Sequence, residues 1–178
     1  QAERQMLRAA KLVEARGATL ALLNRQYSDW DQTYAYMRGD DPGFAESYLD
    51  EAYMRSIGLH FVALIDNKGT INWSRLYSSQ GEKLALEDDL LEPLSMSHPL
   101  VSAAVANKTV QGVWQLKSGL LFVVSQPVRR SDGSGLPLGV FVTGYYMDNA
   151  LLGLVADQAD VSVQIFDFEW NEHTRRLA

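Results

Sequence analysis

In HFVALIDNKGTINWSRLY, residues 60–77, the apolar residues stop recurring at helical intervals and begin to alternate. The stretch reads as two strands, His60–Asp66 and Thr70–Tyr77. The tight turn Asp66-Asn67-Lys68-Gly69 joins them, with Asn and Gly tolerating positive φ. Three more strands are expected downstream. Gln111–Lys117 sets Gly112, Trp114 and Leu116 on one face and Gln111, Gln115 and Lys117 on the other. Leu120–Arg129 and Leu136–Tyr146 are apolar on both faces, as strands covered on two sides are. Ser131–Gly135 joins them as a hairpin loop, and Val161–Phe166 is a last strand.

Working outward to the N-terminus, residues 2–38 read as one long helix. Met6, Val13, Leu20, Tyr27 and Tyr34 recur every seven residues, with Ala9, Leu23, Trp30 and Met37 in a second series that Arg16 interrupts. Gly39-Asp40-Asp41-Pro42-Gly43 stops it. Phe44–Ser56 reads as a second helix capped by Gly58, Pro99–Asn107 as a short one, and Met147–Gln158 as another. Ser78–Ser97 is a loop with an acidic centre, Glu87-Asp88-Asp89. Two antiparallel groups separated by one helical connection suggest an α+β fold with a single curved sheet. That element order is the one PAS-like folds use.

At 178 residues the chain suits one domain, here a long N-terminal helix, 1–38, leading into a core, 39–178. Its 47% hydrophobic content excludes a disordered tail. With 16 basic against 22 acidic residues and no basic block, nucleic acid is disfavoured as a partner. The absence of cysteine excludes disulfides, thiol nucleophiles and thiolate metal sites. The longest apolar run, Leu120–Val124, is far shorter than the roughly 20 residues of a membrane helix. A start at Gln1 and a charged end, His173–Ala178, lead us to expect a piece of a longer protein.

Tyr27-Ser28-Asp29-Trp30-Asp31-Gln32-Thr33-Tyr34 resembles the Tyr-x-x-Trp-Asp-x-Thr-Tyr signature of the fourth class of CHASE domains, extracytoplasmic sensors of bacterial signalling proteins. The acidic break at Gly39–Gly43, the Phe44, Tyr48, Leu49 helix, Ile57–Val62 and the strand ending in Ile65–Gly69 continue the pattern. A single Trp30 stands where many members carry a Trp-Trp pair. The resemblance implies a PAS-like single antiparallel sheet with a long N-terminal helix, in the periplasmic part of an inner-membrane protein. Membrane segments would flank it. The parent would commonly be a cyclic-di-GMP synthase or phosphodiesterase, or a histidine kinase.

Candidate ligand-binding residues follow from chemistry. Trp30, Asp31 and Tyr34 either pack as core or form one wall of a pocket, with Asp31 receiving a ligand amine, Arg38 or a backbone amide. Trp73, Trp114 and Tyr145 (or its neighbour Tyr146) offer aromatic walls from the sheet. Ser125 and Thr143, polar inside apolar strands, either line a cavity or hydrogen-bond the backbone. His60, His98 and His173 lack metal-ligand spacing, and Asp88, Asp89 and Glu92 read as a solvated loop, so no metal is expected. No serine sits in a nucleophile elbow, and neither a catalytic role nor a cofactor is expected. The expectation is therefore a sensory module that binds an unknown small molecule and passes a signal across the membrane. A dimerisation or interaction scaffold is the alternative. A parallel homodimer through residues 6–37 is expected, with Gly17 and the alanines permitting close helix approach.

Overall fold

The computed structural model describes residues 2–78, 80–86, 93–116 and 118–147. The expected helix from Asp148 on, the strand Val161–Phe166 and the acidic centre Glu87–Asp89 lie outside them. The elements run α1 (Ala2–Ser28), α2 (Asp31–Arg38), α3 (Phe44–Tyr48), α4 (Glu51–Ser56), β1 (Phe61–Asp66), β2 (Ile71–Tyr77), β3 (Lys83–Leu84), α5 (Pro99–Val105), β4 (Val110–Leu116), β5 (Gly119–Pro127) and β6 (Gly139–Tyr146).

Among these residues the six strands form one sheet in the order β3-β2-β1-β6-β5-β4, every pair antiparallel. The last strand in sequence thus joins the β1–β2 hairpin to the β4–β5 hairpin. β1 and β6 are buried on both faces because each has neighbours on either side and helices or loops above and below. Alternation divides the core in two. One half holds Phe61, Ala63, Val123, Val142 and Tyr146 beneath α5. The other holds Val62, Leu64, Val124 and Phe141 beneath α1–α4.

The single helix expected over residues 2–38 is broken at Asp29-Trp30. Trp30 is extended (φ −105°, ψ 133°) and serves as N-cap of α2. The cause lies across the sheet. The Arg129 amide donates to the Ser28 carbonyl at 2.9 Å. Its guanidinium holds Asp29 at 3.1 Å, so the break is tied to the end of β5. α2 ends as expected at Gly39, where φ is +87° and the Asp40 amide reaches back to the Ala35 carbonyl. The expected helix Phe44–Ser56 is likewise two helices, because the Asp50 side chain takes the Tyr53 amide at 2.9 Å and starts α4 afresh.

From Leu20 onward the stripe packs on the chain's own sheet: Leu20, Leu23, Tyr27, Trp30, Tyr34 and Met37 all join the core beneath the helices. Gly17 also serves that contact. A Cβ there would stand 2.9 Å from the Phe122 ring. A polar seam runs along the same interface. The buried Asn24 amide donates to the Val124 and Phe141 carbonyls and the Thr143 hydroxyl, at 2.9–3.0 Å. Ser28 meets Gln126 one turn further on.

Candidate functional site

Both faces of the sheet must be weighed, because the eight residues singled out by sequence fall on opposite sides. Trp30, Tyr34, Trp73 and Tyr145 pack in the half beneath α1–α4. Trp30 contacts Phe44 and Tyr48 edge-on, and Tyr145 stacks on Phe122 at 5.5 Å. Thr143 accepts from Asn24, so its hydroxyl belongs to the seam under α1. Asp31 is exposed and already engaged. Its carboxylate takes the Ser131 amide at 2.9 Å and the Ser131 hydroxyl at 2.8 Å. Those bonds, the backbone one foremost, hold its carboxyl below the usual range. Trp114 lies on the other face, in the half beneath α5. Ser125 shares that face, and its hydroxyl donates to the Leu100 carbonyl at 2.8 Å, which ties α5 to the sheet. Placed this way, the helix-side residues are core and polar fastening, and the structure does not gather the eight into one site.

The α5 face is the other half of the core, and it is open at one edge. One row across the sheet reads Leu76, Phe61, Gly144, Val123 and Gly112. Its two glycines lower the floor. A Cβ at Gly144 would crowd Val123 at 2.9 Å, whereas one at Gly112 meets no atom within 4 Å. The row therefore ends in open space. Above it, Phe61 and Trp114 meet edge to face, centroids 5.7 Å apart, although β6 and β5 lie between their strands. In a flat sheet three strand spacings are roughly 14 Å, so the two rings lean toward each other over the row. The buried Ser74 adds a hydroxyl group on the same face, opposite Ala63.

His98 stands at the rim, its ring 5.6 Å from that of Trp114. It is the N-cap of α5, and its Nδ1 accepts the Leu100 amide at 3.3 Å. That bond requires an unprotonated Nδ1, so the neutral imidazole carries its proton on Nε2. Burial pushes its pKa below the ordinary imidazole range and keeps it neutral. Beyond it, Leu84, Leu86 and Leu94 pack over the face. Leu94 is fastened to the β1–β2 turn, its amide donating to the Gly69 carbonyl at 2.9 Å. Gly69 has φ +84°, and a Cβ on it would collide with the Leu94 carbonyl, so only glycine lets the two backbones meet.

Of the residues singled out by sequence, Trp114 and Ser125 lie on this face, together with Phe61, His98 and Gly112, which were not among the candidates. Gly112 did carry a signal, since it shares a strand face with Trp114. Among the described residues no group of three His, Cys, Asp or Glu side chains is placed to hold a metal ion.

The CHASE4 domain model matches residues 12–166. No curated protein matches the chain in sequence. Among solved structures, the sensor domain of Escherichia coli DcuS superposes with a TM-score of 0.55 at 11% identity, covering 83% of this chain and 97% of that one. A domain of a sensory box/GGDEF family protein from Vibrio parahaemolyticus gives 0.59 at 11% identity, covering 85% and 60%. The ligand-binding domain of the Campylobacter jejuni chemoreceptor Tlp3, solved with L-valine, gives 0.59 at 17% identity, covering 88% and 62%. The chain thus spans nearly all of the first and about three fifths of the other two. At these identities the likeness speaks to the fold.

Proposed function

We infer that this chain, which belongs to the CHASE4 domain family of extracytoplasmic sensors, works by binding a small molecule in the trough beneath α5 and passing the event to α1. The observation that carries the reading is the open end of the row at Gly112, on the same strand face as Trp114, whose ring meets that of Phe61. Concave sites with aromatic walls and a few polar groups are what small ligands occupy.

The fold also supplies a mechanical link from that face to the helices. Leu94, in the segment over the trough, is fastened to Gly69 of the β1–β2 turn. In the same turn the Asn67 amide donates to the Pro137 carbonyl at 2.8 Å. The loop bearing Pro137 is fixed to α2 through Ser131 and Asp31, and through the Tyr34 hydroxyl on the Leu136 carbonyl. A ligand that favours one arrangement of these linked contacts shifts the population of α2 and α1 positions by its difference in affinity for the two. In this reading α1 leads toward a flanking membrane segment, the domain lies in the periplasm, and the parent is an inner-membrane receptor. Family resemblance and likeness to a domain of a GGDEF family protein support cyclic-di-GMP synthesis or hydrolysis as its output. A parallel homodimer would use the part of α1 ahead of Leu20, since the rest is taken by the sheet.

A thermal-shift screen of the chain against small metabolites tests the reading. A ligand that binds only the folded state raises the melting temperature with concentration. A silent screen overturns it in favour of the interaction scaffold.

A further inference from the structure

The inward positions of β1, β2, β4, β5 and β6 beneath α5, and α5 itself, carry no charged residue. The chain has no arginine between Arg75 and Arg129, and of the lysines in that span Lys83 and Lys108 are exposed and Lys117 lies outside the described residues. Arginine is the residue that grips a carboxylate through two parallel hydrogen bonds, and a carboxylate taken out of water without such a partner is strongly disfavoured. What the face does offer is a half-buried indole, Trp114, which touches Phe61 edge-on and His98 at a 56° tilt. No ring of the described residues stacks on it. Beside it His98, its Nδ1 occupied, has an Nε2–H to donate.

We propose that the trough takes an uncharged, flat molecule that stacks on Trp114 and presents a hydrogen-bond acceptor to His98, and that it discriminates against amino acids and carboxylates. This rests on the reading of the α5 face as the ligand site. It sets the chain apart from a neighbour such as Tlp3, which was solved with L-valine.

The test is a set of matched probes measured by thermal shift and tryptophan fluorescence on the wild-type chain and on Gly112→Val. The pairs are benzamide with benzoate and indole-3-acetamide with indole-3-acetate, and L-valine and succinate complete the set. The expected result is binding of a neutral member at least tenfold tighter than of its anion. Gly112→Val should abolish it while the melting temperature stays within about 2 °C, since the added carbons enter open space. Tighter binding of an anion or of valine, lost in Gly112→Val, overturns the ligand class and leaves the site standing. Neutral binding that survives Gly112→Val overturns the site as well. No shift from any neutral member overturns the proposal.

Discussion

The Asn24 amide donates to the Thr143 hydroxyl at 3.0 Å in a position from which water is wholly excluded. The same nitrogen also serves the Val124 and Phe141 carbonyls, so one side chain of α1 fastens the helix to two central strands.

Replacing Asn24 should separate fastening from mere filling. Asn24→Ala is expected to lower stability by about 1–3 kcal/mol, because three acceptors lose a donor. Asn24→Asp should cost more at neutral pH, since a buried carboxylate would then face the Val124 and Phe141 carbonyl oxygens with only the Thr143 hydroxyl able to donate to it. Its penalty should shrink in acid as the buried group takes a proton. Chemical denaturation at two pH values measures both.

Gly69→Ala is expected to cost more than about 2 kcal/mol, from the left-handed backbone and the collision with Leu94 together. Hydrogen exchange should show the loss first at the Leu94 amide, whose bond to Gly69 is the one displaced.

His98 gives the domain a dependence on mild acid. Its pKa is lowered in the folded state by burial, so the unfolded chain takes up the proton first. Its share of stability is complete above the ordinary imidazole range and declines as pH falls from there toward the lower folded value. His98→Asn, which keeps an acceptor at the helix start, should flatten the slope of melting temperature between about pH 7 and pH 5. An unchanged slope would count against a neutral, buried imidazole.

Asp31 acts further down the scale. Its folded pKa is depressed by the Ser131 amide and then the hydroxyl. Its contribution is therefore present above the ordinary carboxylate range and is lost as pH falls through the folded value. Wild type and Asp31→Asn should differ in melting temperature near neutrality and converge below about pH 3.

Strand pairing was legible because alternation is local. Gly112, Trp114 and Leu116 fall on one face as the pattern requires, and Tyr145 and Tyr146 go to opposite halves of the core. Breaks in helices were not legible where their cause is remote. Nothing near Asp29 announces the interruption: its local partner Arg25 makes the i,i+4 pair of an unbroken helix, while its other partner, Arg129, lies 100 positions away. The site was half legible for a similar reason. A stripe holding Trp30 and Tyr34 shows that a face is covered without showing by what. Trp73 and Trp114 look alike as strand aromatics until pairing sends them to opposite sides. An opening at Gly112 comes from side chains that are missing, and periodicity records only those present.

The position of β6 governs how the molecule can be assembled. The hairpin Phe61–Tyr77 and the hairpin Val110–Pro127 can each form as soon as they are synthesised, but they do not touch along their edges. Until the eight residues Gly139–Tyr146 arrive, two hydrophobic half-sheets with unsatisfied borders coexist on one nascent chain. Such non-local closure is slow. A product truncated before Gly139 would keep both sticky borders, which favours aggregation over a smaller working sensor.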